Sequence, residues 1–244
     1  MTDKERQPVK IHIVVPITSD QFNEQIELEA RSFLGTEVEL EVSHLQAGPA
    51  SIESFYDEVL AGPQIVAEVA KAAGNGADAV FITCFGDPAV PAAREIVDIP
   101  VVGGFEPAIA TALTLGERFS VVTVLKNVTP MISGLIARMG VASRLATIEV
   151  IDTPVLELHD GDSLLKSLFE ASCRAIETGG ADVLVLGCTG MLGVAATLQE
   201  KLEAELVRVP VVDPTGASLG LLTTLQSMAL KPSRKTYMPP PPKT

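Results

Sequence analysis

A segment near residue 80 recurs about a hundred residues later with its glycines and its cysteine in place. GADAVFITCFG at 76–86 aligns without gaps on GADVLVLGCTG at 180–190. Two further pairs of apolar runs keep the same order: IHIVVPI (11–17) with FSVVTVL (119–125), and IPVV (99–102) with VPVV (209–212). Three matches in one order and at nearly constant spacing indicate an internal duplication. The chain is therefore expected to fold into two similar halves.

Short β-branched runs alternate with longer segments of helical spacing in both halves. Strands are predicted at 11–17, 38–45, 78–84 and 99–103, and again at 119–125, 145–152, 181–188 and 209–213. Helices are predicted at 21–33, 51–76, 128–140, 163–180 and 191–206. Such alternation is typical of parallel sheets covered by helices. We predict an α/β fold of two pseudo-symmetric lobes, each a short, mostly parallel sheet flanked by helices, with the active site in the cleft between them.

The first lobe is expected to be built from two separate stretches of the chain. Residues 1–103 together with 210–232 are predicted to form the first lobe, and residues 104–209 the second. The closing stretch, residues 233–244, is Pro-rich and has no apolar pattern. We predict that it is a disordered tail.

Charge and cysteine content narrow the classes of partner. The 18 Lys and Arg against 31 Asp and Glu leave a net charge of −13, which argues against nucleic acid and anionic membranes. The charged N-terminus has no secretory pattern, and no apolar stretch is long enough for a membrane span. Three cysteines without metal-ligand spacing favour a reducing cytoplasm. A small-molecule ligand is the expected partner.

Each repeat ends in a cysteine, Cys84 or Cys188, at the carboxyl end of a predicted strand. Ligands of open α/β sheets bind just outside such strand ends. The next helix is expected to begin there, so that its positive end lowers the thiol pKa. Two thiols that approach one carbon from opposite sides are suited to invert it, one removing the α-proton and the other returning a proton. Neighbouring backbone N–H groups would stabilise the enolate, and no cofactor is required.

Other uses of these cysteines are weaker. A redox dithiol is normally close in sequence, whereas these two are 104 residues apart. A Cys–His nucleophile needs a partner, and none of the three histidines, His12, His44 and His159, is visibly paired with either thiol. Cys173 follows Leu165 and Phe169 at helical spacing and is interpreted as helix packing.

Several stretches together resemble the aspartate/glutamate/hydantoin racemase superfamily, and within it the hydantoin/allantoin racemase branch. They are GPASIESFYDE (48–58), CFGDP (84–88), PVVGGFEPA (100–108), RFSVVT (118–123), PVLEL (154–158), LGCTG (186–190) and PVVD (210–213). CFGDP and LGC-x-G are the most specific. The resemblance implies a cofactor-independent enzyme with two pseudo-symmetric α/β lobes that is a homo-oligomer.

The resemblance also implies roles for individual residues. Cys84 and Cys188 would be the catalytic acid and base. Thr123 matches a substrate-contacting position of the branch, and Thr189 and Gly190 match the backbone donors after the second cysteine. Further candidates for substrate binding are Thr18, Ser19, Thr83, Phe85 and Gly86. The hydroxyls of Thr18 and Ser19 could instead cap the first helix.

Departures from neighbouring members indicate the substrate class. Glutamate and aspartate racemases usually carry Cys-Asn-Thr and Cys-Thr-His motifs, whereas this chain has Cys-Phe-Gly and Cys-Thr-Gly. Arylmalonate decarboxylases lack the first cysteine, and maleate isomerases bind a dianion. Where the hydantoin branch usually has Asn-Pro-Asn, this chain has Val15-Pro16-Ile17. The expected reaction is racemisation of a hydantoin or a related amino-acid derivative. The alternatives are an amino-acid racemase, a maleate isomerase- or decarboxylase-like enzyme, and a two-lobed binding protein without catalysis.

Overall fold

The computed structural model describes residues 8–159 and 161–242. The strands are β1 (Val9–Val15), β2 (Val38–His44), β3 (Ala79–Ile82), β4 (Val101–Val102), β5 (Phe119–Thr123), β6 (Leu145–Val150), β7 (Val183–Leu186) and β8 (Val211–Val212). The α-helices are α1 (Asn23–Phe33), α2 (Phe55–Gly74), α3 (Val90–Ile96), α4 (Phe105–Leu115), α5 (Thr129–Met139), α6 (Gly161–Glu177), α7 (Ala195–Glu205) and α8 (Pro214–Ser227). Short 3-10 helices lie at Lys126–Val128, Ala142–Arg144 and Val155–Glu157.

The strands form two sheets of the same design. The first has the order β2-β1-β3-β4 and the second β6-β5-β7-β8, and every pairing in both is parallel. The two copies of the repeated segment supply β3 and β7, which hold the same place in their sheets and are fully buried. The predicted α/β fold of two pseudo-symmetric lobes is confirmed.

Two helices that the periodicity did not predict connect the lobes. Helix α4 follows the last strand of the first sheet but packs against β7 and β8 of the second. Helix α8 follows the last strand of the second sheet but packs against β3 and β4 of the first, and α4 and α8 contact each other. Both sequences, FEPAIATALTL and PTGASLGLLTTLQS, lack a charged face because the helices are covered on several sides.

The segment 210–232, which the sequence analysis assigns to the first lobe, is divided between the two sheets. Strand β8 pairs with β7 of the second sheet, whereas α8 covers the first. The chain therefore crosses from one lobe to the other at Asp213, which caps α8 by accepting hydrogen bonds from Thr215 N (2.8 Å) and Gly216 N (3.0 Å).

Part of the predicted disordered tail is held against α3. Arg234 donates to the carbonyl oxygens of Arg94 (2.9 Å) and Val97 and pairs with Asp98. The Tyr237 hydroxyl accepts a hydrogen bond of 3.0 Å from Arg94. The unpaired carbonyls at the end of a helix are good acceptors for a guanidinium. The prediction of disorder is therefore wrong for residues 233–237.

None of the helices in the described ranges is both long enough and apolar enough to cross a membrane.

Candidate active site

A cavity of about 70 Å³ lies between the lobes, at the carboxyl ends of β1 and β3 in one sheet and of β5 and β7 in the other. Both predicted catalytic thiols line it, one from each lobe. Its other lining residues are Val15, Pro16, Ile17, Phe22, Ile26, Ile52, Thr83, Phe85, Gly86, Val124, Val128, Met131, Ile132, Val155, Gly187, Thr189 and Gly190. None of these residues is charged. The predicted cleft between the lobes is therefore present, and its wall is almost entirely apolar.

Each thiol sits in the same kind of turn. Gly86 N donates a hydrogen bond to the sulfur of Cys84, and Gly190 N donates one of 3.4 Å to the sulfur of Cys188. A side chain at the third position of either turn has little space. A Cβ on Gly86 would lie 2.7 Å from Glu58 Oε1, and one on Gly190 would lie 3.2 Å from Leu158. The glycine in each Cys-x-Gly motif thus keeps the backbone close to the thiol.

The structure does not show the features that were expected to favour the thiolates. The helices after the two turns begin only at Val90 and Ala195, six and seven residues beyond the cysteines, so neither thiol lies at a helix end. Burial in the apolar cavity raises the pKa of Cys188 to about 11 and that of Cys84 higher still. The charged groups nearest Cys84 are acidic, Glu58 and Asp87, and they raise its pKa further. The prediction of lowered thiol pKa values is wrong, because desolvation outweighs one amide hydrogen bond.

Hydrogen bonds across the cleft bring the two halves of the site together. The Thr189 hydroxyl, next to the second thiol, donates to the carbonyl oxygen of Thr83, next to the first, at 2.9 Å. Val155 N donates to Glu53 Oε1 at 2.7 Å. The buried Thr189 side chain also lies against Gly104, where a Cβ would approach it to 2.9 Å. The lobes are thus closed on each other.

Few polar groups face this cavity. Thr83 is 5% exposed, and its hydroxyl oxygen is buried without a hydrogen-bond partner among the described residues. The backbone N–H groups of Phe85 and Thr189 donate to no acceptor in the described part of the chain. Buried polar groups are normally hydrogen-bonded. These three donors, which lie next to the two thiols in sequence, thus have no hydrogen-bond partner among the described residues.

The remaining predicted site residues divide into two sets. Phe85, Gly86, Thr189 and Gly190 line the cavity with the cysteines and Thr83. Thr123, Thr18 and Ser19 do not. Thr123 is fully buried and donates its hydroxyl to Gly187 O at 3.1 Å, which fixes the end of β7. Thr18 bonds to Pro49 O at 3.3 Å, and Ser19 accepts a hydrogen bond from Gln21 N at 3.4 Å.

Sequence reasoning missed most of the apolar wall. Ile26 comes from α1 and Phe22 directly precedes that helix, Met131 and Ile132 come from α5, and Val155 from a 3-10 helix. Nothing in their local sequence separates them from ordinary core residues. One local signal did indicate it: Val15-Pro16-Ile17 stands where the hydantoin branch usually has Asn-Pro-Asn, and all three of these residues line the cavity.

The aspartate of CFGDP has a structural role beside the site. Asp87 is 4% exposed and accepts hydrogen bonds from Phe105 N (2.8 Å) and Glu106 N (3.1 Å), which caps α4. Its burial raises its pKa to about 7, against the opposite effect of the two amides. A Cβ on Gly103 would lie only 2.1 Å from Asp87 Oδ1. The motif thus joins the Cys84 turn to the helix that crosses to the second lobe.

The other cysteine and the histidines lie outside the cavity. Cys173 is partly buried on α6 and packs against the core, as expected. His12 hydrogen-bonds to Ser43, His44 to Asn23, and His159 is exposed. Across residues 8–159 and 161–242, no group of three His, Cys, Asp or Glu side chains is placed to hold a metal ion.

Known proteins share both the sequence and the fold. The family model described as Asp/Glu/Hydantoin racemase matches residues 11–222. A hydantoin racemase of Pseudomonas sp. (strain NS671) is 36% identical, over 95% of this chain and 92% of that protein. The solved allantoin racemase from Klebsiella pneumoniae superposes with a TM-score of 0.90 at 33% identity, covering 96% of this chain and 95% of its own. That from Pseudomonas fluorescens also gives 0.90, at 28% identity, over 97% and 99% of the two chains. The chain belongs to the Asp/Glu/Hydantoin racemase family.

Proposed function

We propose that this protein is a cofactor-independent racemase that inverts the α-carbon of 5-substituted hydantoins, with Cys84 and Cys188 as its acid and base. The observation that carries the proposal is the pair of thiols, one from each lobe, lining one cavity that has no charged residue in its wall. The family membership and the hydantoin and allantoin racemases among the relatives support it.

The reaction needs one thiolate and one thiol. In one direction of the reaction Cys188 is the thiolate and takes the α-proton. As its S–H bond forms and the C–H bond breaks, the electron pair moves onto the adjacent carbonyl to give an enolate. The Cys84 thiol then returns a proton to the opposite face and is left as the thiolate. The reverse reaction uses the two sulfurs in the opposite order.

The cavity favours a neutral substrate over a dianion. Maleate, aspartate and glutamate carry carboxylates, and no Lys, Arg or His lines the cavity to pair with them. Burying an unpaired charge is costly. A hydantoin ring is uncharged at neutral pH, and its carbonyl oxygens can accept hydrogen bonds from the backbone N–H groups of Phe85 and Thr189. Those amides would also stabilise the enolate oxygen.

Thr83 is expected to bond to the substrate. In Thr83→Val we expect kcat/KM to fall by about tenfold, the worth of one buried hydrogen bond, while the Tm stays level or rises because the hydroxyl has no partner in the free protein. Thr123→Val is the matched control. Its hydroxyl bonds to Gly187 O, so we expect the free energy of unfolding to fall by about 1 kcal/mol and the Tm to fall with it. Polarimetric kinetics and thermal unfolding measure both. A Thr83→Val enzyme with unchanged kcat/KM contradicts this role.

The apolar wall predicts the substituent that the substrate carries. We expect 5-isopropylhydantoin to be turned over with a kcat/KM at least about tenfold above that of allantoin, whose ureido group would lie unpaired against Ile17 and its neighbours. Ile17→Asn should move that ratio toward allantoin by about fivefold or more. Leu28→Asn, on the exposed side of α1, is the control and should leave the ratio unchanged. A wild-type preference for allantoin would overturn the assignment of the wall.

The direct test is proton NMR of enantiopure 5-isopropylhydantoin in D₂O with the purified protein. We expect loss of the α-proton signal and of optical rotation well above the rate without protein. If neither exceeds that baseline, while aspartate, glutamate or maleate is converted, the substrate class is wrong. If no compound is converted but calorimetry detects binding, the protein is a binding protein.

A further inference from the structure

A partly buried carboxylate of the first lobe lies behind the Cys188 turn. Glu29, on α1, accepts a hydrogen bond of 2.6 Å from Gly193 N through Oε1. Gly193 belongs to the loop between Cys188 and α7 and has a positive φ of 71°. The same loop places Met191, 2% exposed, in the core. This hydrogen bond therefore connects α1 of one lobe directly to the segment that carries the second thiol.

A second carboxyl group lies beside Glu29. Oε2 is buried and meets no hydrogen-bond donor among the described residues. Asp213, the cap of α8, is close enough to interact directly with the Glu29 carboxyl and raises its pKa, whereas the nearby Thr215 hydroxyl lowers it. Two partly buried carboxyl groups that interact directly ionise together only at a cost, so one holds a proton. The unpaired Oε2 is the place for that proton, since both amides at α8 already bond to Asp213.

Within the described residues, no Lys or Arg side chain is placed to neutralise the pair. Of the residues that line the shallow cavity beside Glu29, the titratable ones are Asp213 and the exposed His159. Arg31, the cation of α1, is directed to Val38 O and Glu27 instead. The α8 end contributes only Asp213 and the hydroxyl of Thr215. Burial and the nearby Asp213 carboxylate raise the pKa of Glu29 to about 8.

We propose that Glu29 is a positioning residue that holds the Cys188 turn in place, bonded to Gly193 N through one oxygen and to Asp213 through a shared proton on the other. The bridge joins three elements: α1, the Cys188 loop and the N-terminus of α8. Loss of the proton leaves two adjacent carboxylates, whose repulsion pushes Glu29 away from Asp213 and loosens the Cys188 loop. This role rests on the proposed function only in so far as Cys188 is catalytic.

The sign of the pH dependence follows from the raised pKa. Glu29 is protonated in the folded protein below about pH 8 and ionised above it. An unfolded Glu ionises near its ordinary value, so between that value and about 8 the folded state binds more protons, and stability falls as pH rises. The bridge is accordingly complete at pH 6.5 and lost at pH 9.5.

Glu29→Gln tests the bridge, because the amide donates to Asp213 and accepts from Gly193 N but does not titrate. We would measure hydrogen exchange of a peptide spanning Met191–Val194 at pH 6.5, 8.0 and 9.5, corrected for the intrinsic pH dependence. In the wild type we expect protection to fall about tenfold or more over this range, since one pH unit is a factor of ten in ionisation. In Glu29→Gln it should stay constant within about threefold. Glu24→Gln, exposed on the same helix, is the control and should follow the wild type.

Activity then tests whether the bridge positions the thiol. We expect the ratio of Glu29→Gln to wild-type kcat to rise by about fivefold or more from pH 6.5 to pH 9.5, with KM changed less. Asp213→Asn is a second variant that removes the carboxylate pair and should show the same loss of pH dependence. If exchange in Glu29→Gln still varies with pH as in the wild type, the bridge is refuted. If exchange becomes constant but the activity ratio does not change, the positioning role is refuted. The exchange result holds even if the protein proves not to be a racemase.

Discussion

Replacing either Cys84 or Cys188 by serine is expected to lower the rate of racemisation by about 10³-fold, the size of a general acid–base contribution. A serine hydroxyl does not ionise in the accessible pH range and so can neither remove the α-proton nor return one efficiently. Both cysteines line the cavity, one from each lobe, so neither can substitute for the other on the opposite face. Polarimetry of each enantiomer of 5-isopropylhydantoin measures the loss.

Deuterium exchange distinguishes a two-base mechanism from simple damage to the site. Each single variant keeps one thiol, which can still remove and return a proton on its own face. We expect Cys84→Ser to exchange the α-proton of one enantiomer without inverting it, and Cys188→Ser to do so with the other. Cys173→Ser, on the outer helix α6, should match the wild type. Equal loss of exchange with both enantiomers, or racemisation above a tenth of the wild-type rate, would contradict the proposed roles.

The largest effect on stability is expected from Gly103→Ala. The added Cβ would lie 2.1 Å from Asp87 Oδ1 and 3.0 Å from the Asp87 Cα. Asp87 cannot move aside without giving up the amides of Phe105 and Glu106 at the start of α4. Overpacking together with a lost helix cap should cost about 3 kcal/mol, or a fall in Tm of roughly 6–12 °C for a chain of this size.

A double-mutant cycle identifies the cause. Asp87→Ala alone should cost about 2 kcal/mol, because two buried amides lose their acceptor. In the double variant the carboxylate is gone and only the 3.0 Å contact with the Cα at position 87 remains, so the total should be about 2 kcal/mol below the sum of the single effects. Gly134→Ala, in α5 with no atom within 4 Å of the new Cβ, is the control and should be neutral or stabilising. Additive effects would show that Gly103 is required for another reason.

The repeat predicted both the architecture and the meeting of the two thiols. Two copies of one segment produce two copies of one strand and turn, and parallel sheets gather their functional groups at the carboxyl edge. Cys84 and Cys188 therefore line one cavity although they are 104 residues apart. The residues next to the two cysteines in sequence line the same cavity, and they could be predicted for that reason. They are Thr83, Phe85, Gly86, Thr189 and Gly190.

Other parts of the site depend on contacts that local sequence does not encode. Helices α4 and α8 are covered on several sides, so their apolar residues show no stripe. Thr123 lies at the end of β5 in the expected register, yet its hydroxyl turns to Gly187 O. The thiol pKa values are raised because the lobes close over an apolar space, which no strand-end pattern reveals.

The exchange of α4 and α8 between the lobes bears on how the protein is assembled during synthesis. The first sheet is complete once β4 has been made, but the helix that covers β3 and β4 begins only at Pro214. Until α8 has been synthesised, the apolar face of the first sheet at β3 and β4 lacks this helix. Neither half of the duplicated sequence thus covers its own sheet completely, and we expect a chain that ends before residue 214 to leave part of the β3–β4 face exposed.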